Sequence, residues 1–210
     1  NPEFGAANVK AFETGYHLGE TLELFDSTYS VPPAKLGAGH YRNITGNEAT
    51  GLGVIRGGVR FVAAYPITPA TEVLEWLAPS LAKVGGMLVQ AEDELASINQ
   101  IIGASYGGVP AMTATSGPGL SLMIESLGLA VAAEVPLVVV DVMRVGPSTG
   151  IPTKSEQGDL NIAVHGLHGD APHLVAFRIR LVAVGIRRHQ GDRQHRAGFL
   201  GIHLDTPLIL

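Results

Sequence analysis

The fold is decided by residues 87–115, MLVQAEDELASINQIIGASYGGVPAMTAT, in which two short apolar runs flank a segment of helical character. MLVQA and AMTATS are short enough to be strands. DELASINQIIGASYGG is long enough for a helix and ends in two glycines. A strand, a helix and a second strand in this order predict two parallel strands joined by a crossover helix.

The same alternation continues on both sides of this unit. Upstream, helices are predicted in GNEATGLGVIRGG and TPATEVLEWLAPSLAKVG, with the strand VRFVAAYP between them; downstream, the helix GLSLMIESLGLAVAAE precedes the strand PLVVVDVM. Strands that are apolar throughout are typical of a parallel sheet covered on both faces. We therefore predict an α/β domain with a doubly wound, mostly parallel sheet. Ligands bind outside the carboxyl ends of such strands, which directs attention to the loops YPITP, QAEDE, TSGPG and MRVGPSTGIPT.

Composition narrows the class of protein. With 210 residues, 46% of them hydrophobic, the chain is long enough for one domain of ordinary size. Its 27 glycines are about one residue in eight, against roughly 7% on average, as expected where strand ends approach ligands closely. Since it has no cysteine, any iron–sulfur cluster must belong to a partner.

Membranes and nucleic acids are not expected partners. No apolar run reaches the ~18 residues of a membrane span, and the first residues lack a secretory pattern, so the chain is predicted to be cytoplasmic. Six arginines lie between Arg178 and Arg196, but neither interleaved aromatic residues nor a nucleic-acid-binding motif accompanies them.

Three consecutive acids, Glu92, Asp93 and Glu94, follow the run MLVQA. Acids in the first turn of a helix favour the positive end of its dipole, which explains Glu92 and Asp93 as capping residues. Glu94 is explained less well, because it borders the apolar part of the helix.

The loop YPITPAT has two interpretations. Pro66 ends a strand, Thr68 can cap the next helix through its hydroxyl, and Pro69 suits the first helical position. The free amides of such a helix start can also bind a carboxylate or phosphate, and this segment alone does not decide between the two.

Arg144 follows the strand PLVVVDVM and is a candidate anion-binding residue. Its planar fork suits two-point contact with a carboxylate. The alternative is a salt bridge to Asp141 or Glu125.

Three histidines in HGLHGDAPH, His165, His168 and His173, raise the question of a metal site. Their spacing fits no standard zinc pattern, and we predict no metal ligands in this chain.

Taken together, the four loops resemble the thiamine-pyrimidine-binding domain of the α subunit of 2-oxoacid:ferredoxin oxidoreductases. The matching segments, in order, are YPITPATE, QAEDELAS, TATSGPGLSLMIESLG and RVGPSTGIPTKSEQGD. The resemblance runs from about Tyr41 to His173. It favours the 2-oxoglutarate type with γ and α parts fused, because YRNITGNEA resembles the join and NVKAFETGY the end of the γ part.

The resemblance implies a role for each matching residue. Glu94 would be catalytic, contacting N1′ of the thiamine aminopyrimidine and favouring the tautomer that activates the cofactor. Thr68, Arg144 and Thr153 would bind the 2-oxoacid substrate. The residues implied to lie along the cofactor are Pro66, Ile67, Glu94, Ser116 and Gly117.

The implied cofactors are shared with a partner. Thiamine diphosphate and Mg²⁺ would be held at their diphosphate end by a β subunit, which would also carry a 4Fe–4S cluster. The implied reaction is oxidative decarboxylation of 2-oxoglutarate or pyruvate to acyl-coenzyme A, with electrons passing to ferredoxin. This chain would then be half of an active site.

The resemblance also implies domain boundaries. Residues 1–40 are expected to be a linker or the end of a preceding γ-type domain, and 41–176 the pyrimidine-binding α/β domain. Residues 177–210 depart from the family pattern, which indicates a local sequence error or an atypical, truncated end of the domain.

Two other functions are compatible with parts of the sequence. The chain could be a non-catalytic assembly or binding module that retains this fold. It could also belong to another thiamine enzyme family, such as the transketolase or acetolactate synthase type, but the combination of YPITP with RVGPSTGIPT argues against that.

Overall fold

The structure is a computed structural model, and it describes residues 2–23, 29–152, 154, 156–169, 173–178 and 181–186. Two compact units, residues 1–42 and 43–210, are distinguished. The helices are α1 (Pro2–Leu22), α2 (Gly46–Arg56), α3 (Thr71–Leu81), α4 (Glu94–Tyr106), α5 (Gly117–Ala132) and α6 (Asp159–His165), with a 3-10 turn at Ala82–Val84. The strands are β1 (Phe61–Ala64), β2 (Met87–Gln90), β3 (Ala111–Thr115), β4 (Val138–Val142), β5 (His173–Arg178) and β6 (Leu181–Ile186).

The first unit contains α1, a helix with no buried residue. Its apolar side chains are exposed, among them Phe4, Phe12 and Tyr16. The helical signal in VKAFETGYHLGETLELF is confirmed for the part that the structure describes, and the helix begins several residues earlier. None of the helices in the described residues could span a membrane.

The second unit is built on a six-stranded sheet with the order β2-β1-β3-β4-β6-β5. β1 to β4 are mutually parallel, as predicted from the alternation of strands and helices. β6 pairs antiparallel with both β4 and β5, which was not predicted. The helices and strands expected between residues 46 and 142 all form.

Two apolar clusters cover opposite faces of the sheet, which confirms the doubly wound arrangement. Alternate residues of one strand enter different clusters: Val62 of β1 packs with α2 and α3, while its neighbour Ala63 packs with α4 and α5. The largest buried side chains of the first face include Leu77, Leu81 and Met112, and those of the second include Ile98, Ile101, Leu120, Met123 and Leu127.

β2 departs from the expectation that every strand is apolar and covered. It lies at the end of the sheet, and its Met87 is 60% exposed. An edge strand pairs on one side only, so its burial is lower than that of β1 or β3.

Helix α2 is stabilised at its N-terminus by a capping box, and a central glycine allows it to pack closely against α3. Thr45 and Glu48 form a capping box, in which Thr45 Oγ1 accepts from the Glu48 amide and Glu48 Oε2 accepts from the Thr45 amide at 2.8 Å. Gly51 is buried against the indole of Trp76 on α3, where a Cβ would lie 2.5 Å from Cε3. Gly53, in the same helix, has no such neighbour.

These two glycines provide a matched test of the α2–α3 contact. Gly53→Ala should raise the free energy of unfolding by about 0.5–1 kcal/mol, because alanine is the better helix former. Gly51→Ala should lower it by about 1–3 kcal/mol, because the methyl group overpacks the contact with Trp76. Urea denaturation of both variants measures the difference, and equal effects would show that the contact does not restrict residue 51.

Candidate functional site

The four parallel strands place four loops at one edge of the sheet. Residues 65–70 follow β1, 91–93 follow β2, Ser116 follows β3 and 143–158 follow β4. Because the carboxyl ends of parallel strands meet at the same edge, these are the loops expected to form a site. Side-chain hydrogen bonds connect three of them.

The backbone carbonyl of Thr68 is the meeting point of three loops. It accepts a hydrogen bond from Arg144 Nη1 at 2.9 Å and one from Ser116 Oγ at 3.3 Å. Thr68 itself is exposed and precedes Pro69 through a cis peptide bond. The loops after β1, β3 and β4 are therefore joined at one atom.

The predicted capping role of Thr68 is wrong. Helix α3 begins at Thr71, and its N-cap, Ala70, forms no side-chain cap. The Thr71 amide donates to the Ile67 carbonyl at 3.1 Å, so a turn separates Thr68 and Pro69 from the helix. The Thr68 hydroxyl is therefore not required as a cap.

The three acids after β2 differ in environment, much as the sequence suggested. Asp93 is the N-cap of α4, as predicted, and accepts a hydrogen bond from the Ala96 amide at 2.6 Å. The capping prediction for Glu92 is wrong, because this residue is exposed and precedes the N-cap. Glu94, the first residue of the helix, is only 7% exposed. A carboxyl group buried at the start of a helix is not explained by capping.

Glu94 is accommodated by a glycine in the neighbouring helix. A Cβ at Gly119 of α5 would lie 2.8 Å from Glu94 Cγ and 2.9 Å from its Oε1, and the Thr115 hydroxyl fills the remaining space. Gly119 belongs to the loop TSGPG, and the sequence analysis did not predict its contact with Glu94. The signal available in the sequence was the second glycine of that loop.

Ser116 and Gly117 lie where β3 passes into α5, and both are buried. Ser116 is the N-cap residue but forms no side-chain cap, since its hydroxyl is directed to the Thr68 carbonyl. A Cβ at Gly117 would lie 2.6 Å from Asp159 Cγ, so glycine is required here by the carboxyl group of α6.

Arg144 is a buried cation without an ion pair. It is 7% exposed, and besides the bond to Thr68 its Nη2 donates to the Ser148 carbonyl at 3.4 Å. Its Nε is buried without a hydrogen-bond partner, and no carboxylate among the described residues forms a salt bridge with it. The alternative pairing with Asp141 or Glu125 is therefore not formed, and Glu125 instead lies 4.0 Å from His168.

A buried guanidinium with two carbonyl contacts and an unpartnered Nε can accept an anionic ligand. Burial of an unpaired charge is costly, and a bound carboxylate supplies both the missing charge and acceptors for the fork. Arg144 is thus the best candidate for anion binding in the part of the chain that the structure describes.

Asp141 and Asp159 form a pair of carboxyl groups near Arg144, and the sequence analysis did not predict this pair. Asp141 of β4 is 1% exposed, and burial, followed by the adjacent charge of Asp159, raises its pKa to about 8. Burial also raises the pKa of Asp159, partly offset by its contact with Asp141 and by Arg144. No motif joins residues 141 and 159, which only the fold brings together.

The remaining predicted site residues are placed as follows. Pro66 and Ile67 are partly buried, and Ile67 packs against the core cluster that includes Leu77. Thr153 lies outside the described residues, and its role stays a prediction. Among the described residues, no group of three or more histidines and acids is placed to hold a metal ion.

Comparisons with known proteins agree on one family. Residues 52–179 match the family model described as pyruvate flavodoxin/ferredoxin oxidoreductase, thiamine diphosphate-binding. The chain is 47% identical over 176 residues to the 2-oxoglutarate oxidoreductase subunit KorA of Mycobacterium tuberculosis, covering 81% of this chain and 27% of that protein. It is 57% identical over 125 residues to the 2-oxoglutarate synthase subunit KorA of Methanocaldococcus jannaschii, covering 60% of this chain and 34% of that one.

A solved structure shows the same similarity in three dimensions. It is a 2-oxoglutarate:ferredoxin oxidoreductase from Magnetococcus marinus with 2-oxoglutarate, coenzyme A and succinyl-CoA bound. The TM-score is 0.64 at 41% sequence identity, over 88% of this chain and 37% of that chain. The chain thus spans between a quarter and two-fifths of the length of these proteins.

The raised pKa of Asp141 predicts a pH-dependent stability. The pKa of an unfolded aspartate is ~3.9, whereas burial raises the pKa of Asp141 in the folded protein to about 8. Between these values the folded state holds a proton that the unfolded state has lost, so stability is full below pH ~4 and is lost as the pH rises toward about 8. Asp141→Asn, which cannot ionise, should lack this loss, and its advantage over the unchanged protein should grow by a few kcal/mol between pH 5 and pH 8.5. The measurement is the free energy of unfolding of both proteins at each pH. The same difference between the two proteins at pH 5 and at pH 8.5 would contradict the prediction.

Proposed function

Because this chain belongs to the thiamine diphosphate-binding family of pyruvate flavodoxin/ferredoxin oxidoreductases, we propose that it forms the aminopyrimidine-binding half of an active site that oxidatively decarboxylates a 2-oxoacid. The observation that carries this proposal is that a buried carboxyl group, Glu94, and a buried guanidinium that forms no salt bridge among the described residues, Arg144, follow strands that end at the same edge of the sheet. The first suits the cofactor and the second suits the substrate.

The residues present fit the aminopyrimidine end of thiamine diphosphate. Glu94 is a carboxyl group kept from water against Gly119, and Ser116 and Gly117 begin the adjacent helix. When bound, the cofactor supplies the electron sink that decarboxylation of a 2-oxoacid requires. The role of Glu94 is to hold a proton at its carboxyl oxygen against a ring nitrogen, in a site where low exposure strengthens that hydrogen bond.

Arg144 supplies the binding of the substrate carboxylate. Its Nη1 is fixed on the Thr68 carbonyl, which orients the guanidinium, while Nε remains free to donate. The exposed Thr68 side chain lies at the same junction. Thr153 follows nine residues after Arg144 in the sequence, within RVGPSTGIPT, and is assigned to the substrate with it.

The substrate proposed is 2-oxoglutarate, with coenzyme A as acyl acceptor and ferredoxin as electron acceptor. This choice is supported by the names of the relatives and by the ligands of the similar Magnetococcus marinus enzyme. We assign Mg²⁺, the diphosphate site and a 4Fe–4S cluster to a β subunit. The proposal is supported by the absence of cysteine from this chain.

The domain limits are proposed from the resemblance to this family. We assign residues 41–176 to the pyrimidine-binding domain, residues 1–40 to the end of a preceding γ-type part or a linker, and 177–210 to an atypical end. Strand β5 crosses the last of these limits, and it pairs with β6, which lies wholly beyond that limit.

Glu94→Ala is expected to lower turnover of the assembled enzyme by about 10²–10⁴-fold, the usual contribution of a positioned acid–base group. The measurement is 2-oxoglutarate- and coenzyme A-dependent reduction of a dye acceptor. Glu92→Ala, which removes an exposed acid two residues away, is the matched control and should retain full activity. Equal rates in the two variants would exclude the catalytic role and favour a non-catalytic assembly module.

Arg144→Ala should raise KM for 2-oxoglutarate by about 100-fold or more with a smaller effect on kcat, because it removes a charged two-point contact. Arg144→Lys should recover only part of the loss, because an ammonium group cannot reproduce the fork. Arg56→Ala, at the exposed end of α2, is the control. An unchanged KM in Arg144→Ala would remove this residue from substrate binding.

A further inference from the structure

Three buried carboxylate oxygens behind Arg144 lack a hydrogen-bond donor. They are both Oδ atoms of Asp141 and Oδ2 of Asp159. A carboxylate accepts but does not donate, so two ionised acids in contact leave each other unsatisfied. One proton held between the two carboxyl groups gives one oxygen of each acid a hydrogen bond, and the pair then carries a single negative charge.

Among the residues that the structure describes, the surroundings of the pair hold no other partner for a second charge. Asp159 on α6 lies against Gly117 at the start of α5, and the backbone amide and side-chain charge of Arg144 face it from the loop after β4. Glu156 faces Asp159 from the segment before α6 and raises its pKa further. Arg144 is the single cation among these groups, and its fork is directed to the Thr68 and Ser148 carbonyls.

We propose that Asp141 and Asp159 are positioning residues that share one proton, and that the resulting single negative charge orients Arg144 without neutralising it. The proposal rests on the assignment of Arg144 to the substrate carboxylate. With one charge, the pair accepts a hydrogen bond from the Arg144 backbone amide and attracts the guanidinium. With two charges, it would draw the guanidinium into an ion pair and repel the incoming carboxylate.

The shared proton makes substrate affinity depend on pH. Asp141 loses its proton as the pH rises through about 8, and above that value the pair becomes doubly charged. KM for the 2-oxoacid should then increase on the alkaline side, while an enzyme with a permanently neutral residue 141 should not show this increase. A purely structural role would alter stability but leave the pH profile of KM unchanged.

The test is the pH dependence of KM for 2-oxoglutarate between pH 6.5 and 9.5, measured on the assembled enzyme. The unchanged enzyme should show a rise in KM of about tenfold above pH 8. Asp141→Asn, whose amide can still donate to Asp159, should have the same KM as the unchanged enzyme at pH 6.5. Its KM should not increase above pH 8. Asp159→Asn should also remove the alkaline rise but should raise KM about fivefold or more at pH 7, because the Arg144 amide loses a charged acceptor.

Glu75→Gln, an exposed acid on α3, controls for the loss of one carboxylate and should follow the unchanged enzyme. A flat profile in the unchanged enzyme, or the same alkaline rise in Asp141→Asn, would overturn the proposal even where a variant assembles poorly. The absence of any 2-oxoacid-dependent activity in the unchanged enzyme would instead overturn the proposed function, so the two failures are distinguishable.

Discussion

The parallel alignment of β1 to β4 is the constraint on which the rest of the structure depends. It places the ends of four strands at one edge, so that residues up to 76 positions apart in sequence, such as Thr68 and Arg144, become hydrogen-bonded neighbours. The site is then made from loops, while the helices on both faces bury the apolar residues that hold the strands in register. Chemistry and stability are thereby assigned to different parts of the domain.

The site also requires that side chains from neighbouring helices approach the backbone of α5 closely. Two glycines at the start of α5 allow this approach. The space that a methyl group would take at Gly117 is filled by Asp159, and the space at Gly119 is filled by Glu94 and Thr115. Acids from α4 and α6 therefore flank the first turn of one helix. Neither glycine has an unusual backbone angle, so the requirement is for room and not for conformational freedom.

Much of the fold could be predicted from sequence, because apolar periodicity reports burial directly. The strand–helix alternation between residues 46 and 142 predicted the correct elements and, because strands joined through a helix run parallel, the parallel direction of β1 to β4. The order of the strands in the sheet was not predicted. Periodicity does not report strand direction, and the antiparallel pairing of β6 with β4 depends on how the chain returns to the sheet. The edge position of β2 could not be predicted either, since three of its four residues are apolar, as they would be in a central strand.

Site residues were predictable where local sequence carried the signal, as for the burial of Glu94 beside the cap at Asp93. They were not predictable where long-range contact decides. Thr68 looked like a cap because its type suits one, but the structure uses its carbonyl, and Asp141 looked like a counter-ion for Arg144 but faces another acid.

The junction at Thr68 has a consequence for how such a site can change. The atom that joins the three loops belongs to the main chain, which every amino acid carries, whereas the side chain at position 68 is exposed and takes no part in that junction. Substitution at this position therefore leaves the framework of the loops intact. Evolution can vary what residue 68 presents to a ligand without having to rebuild the bonds that hold the ligand's surroundings together.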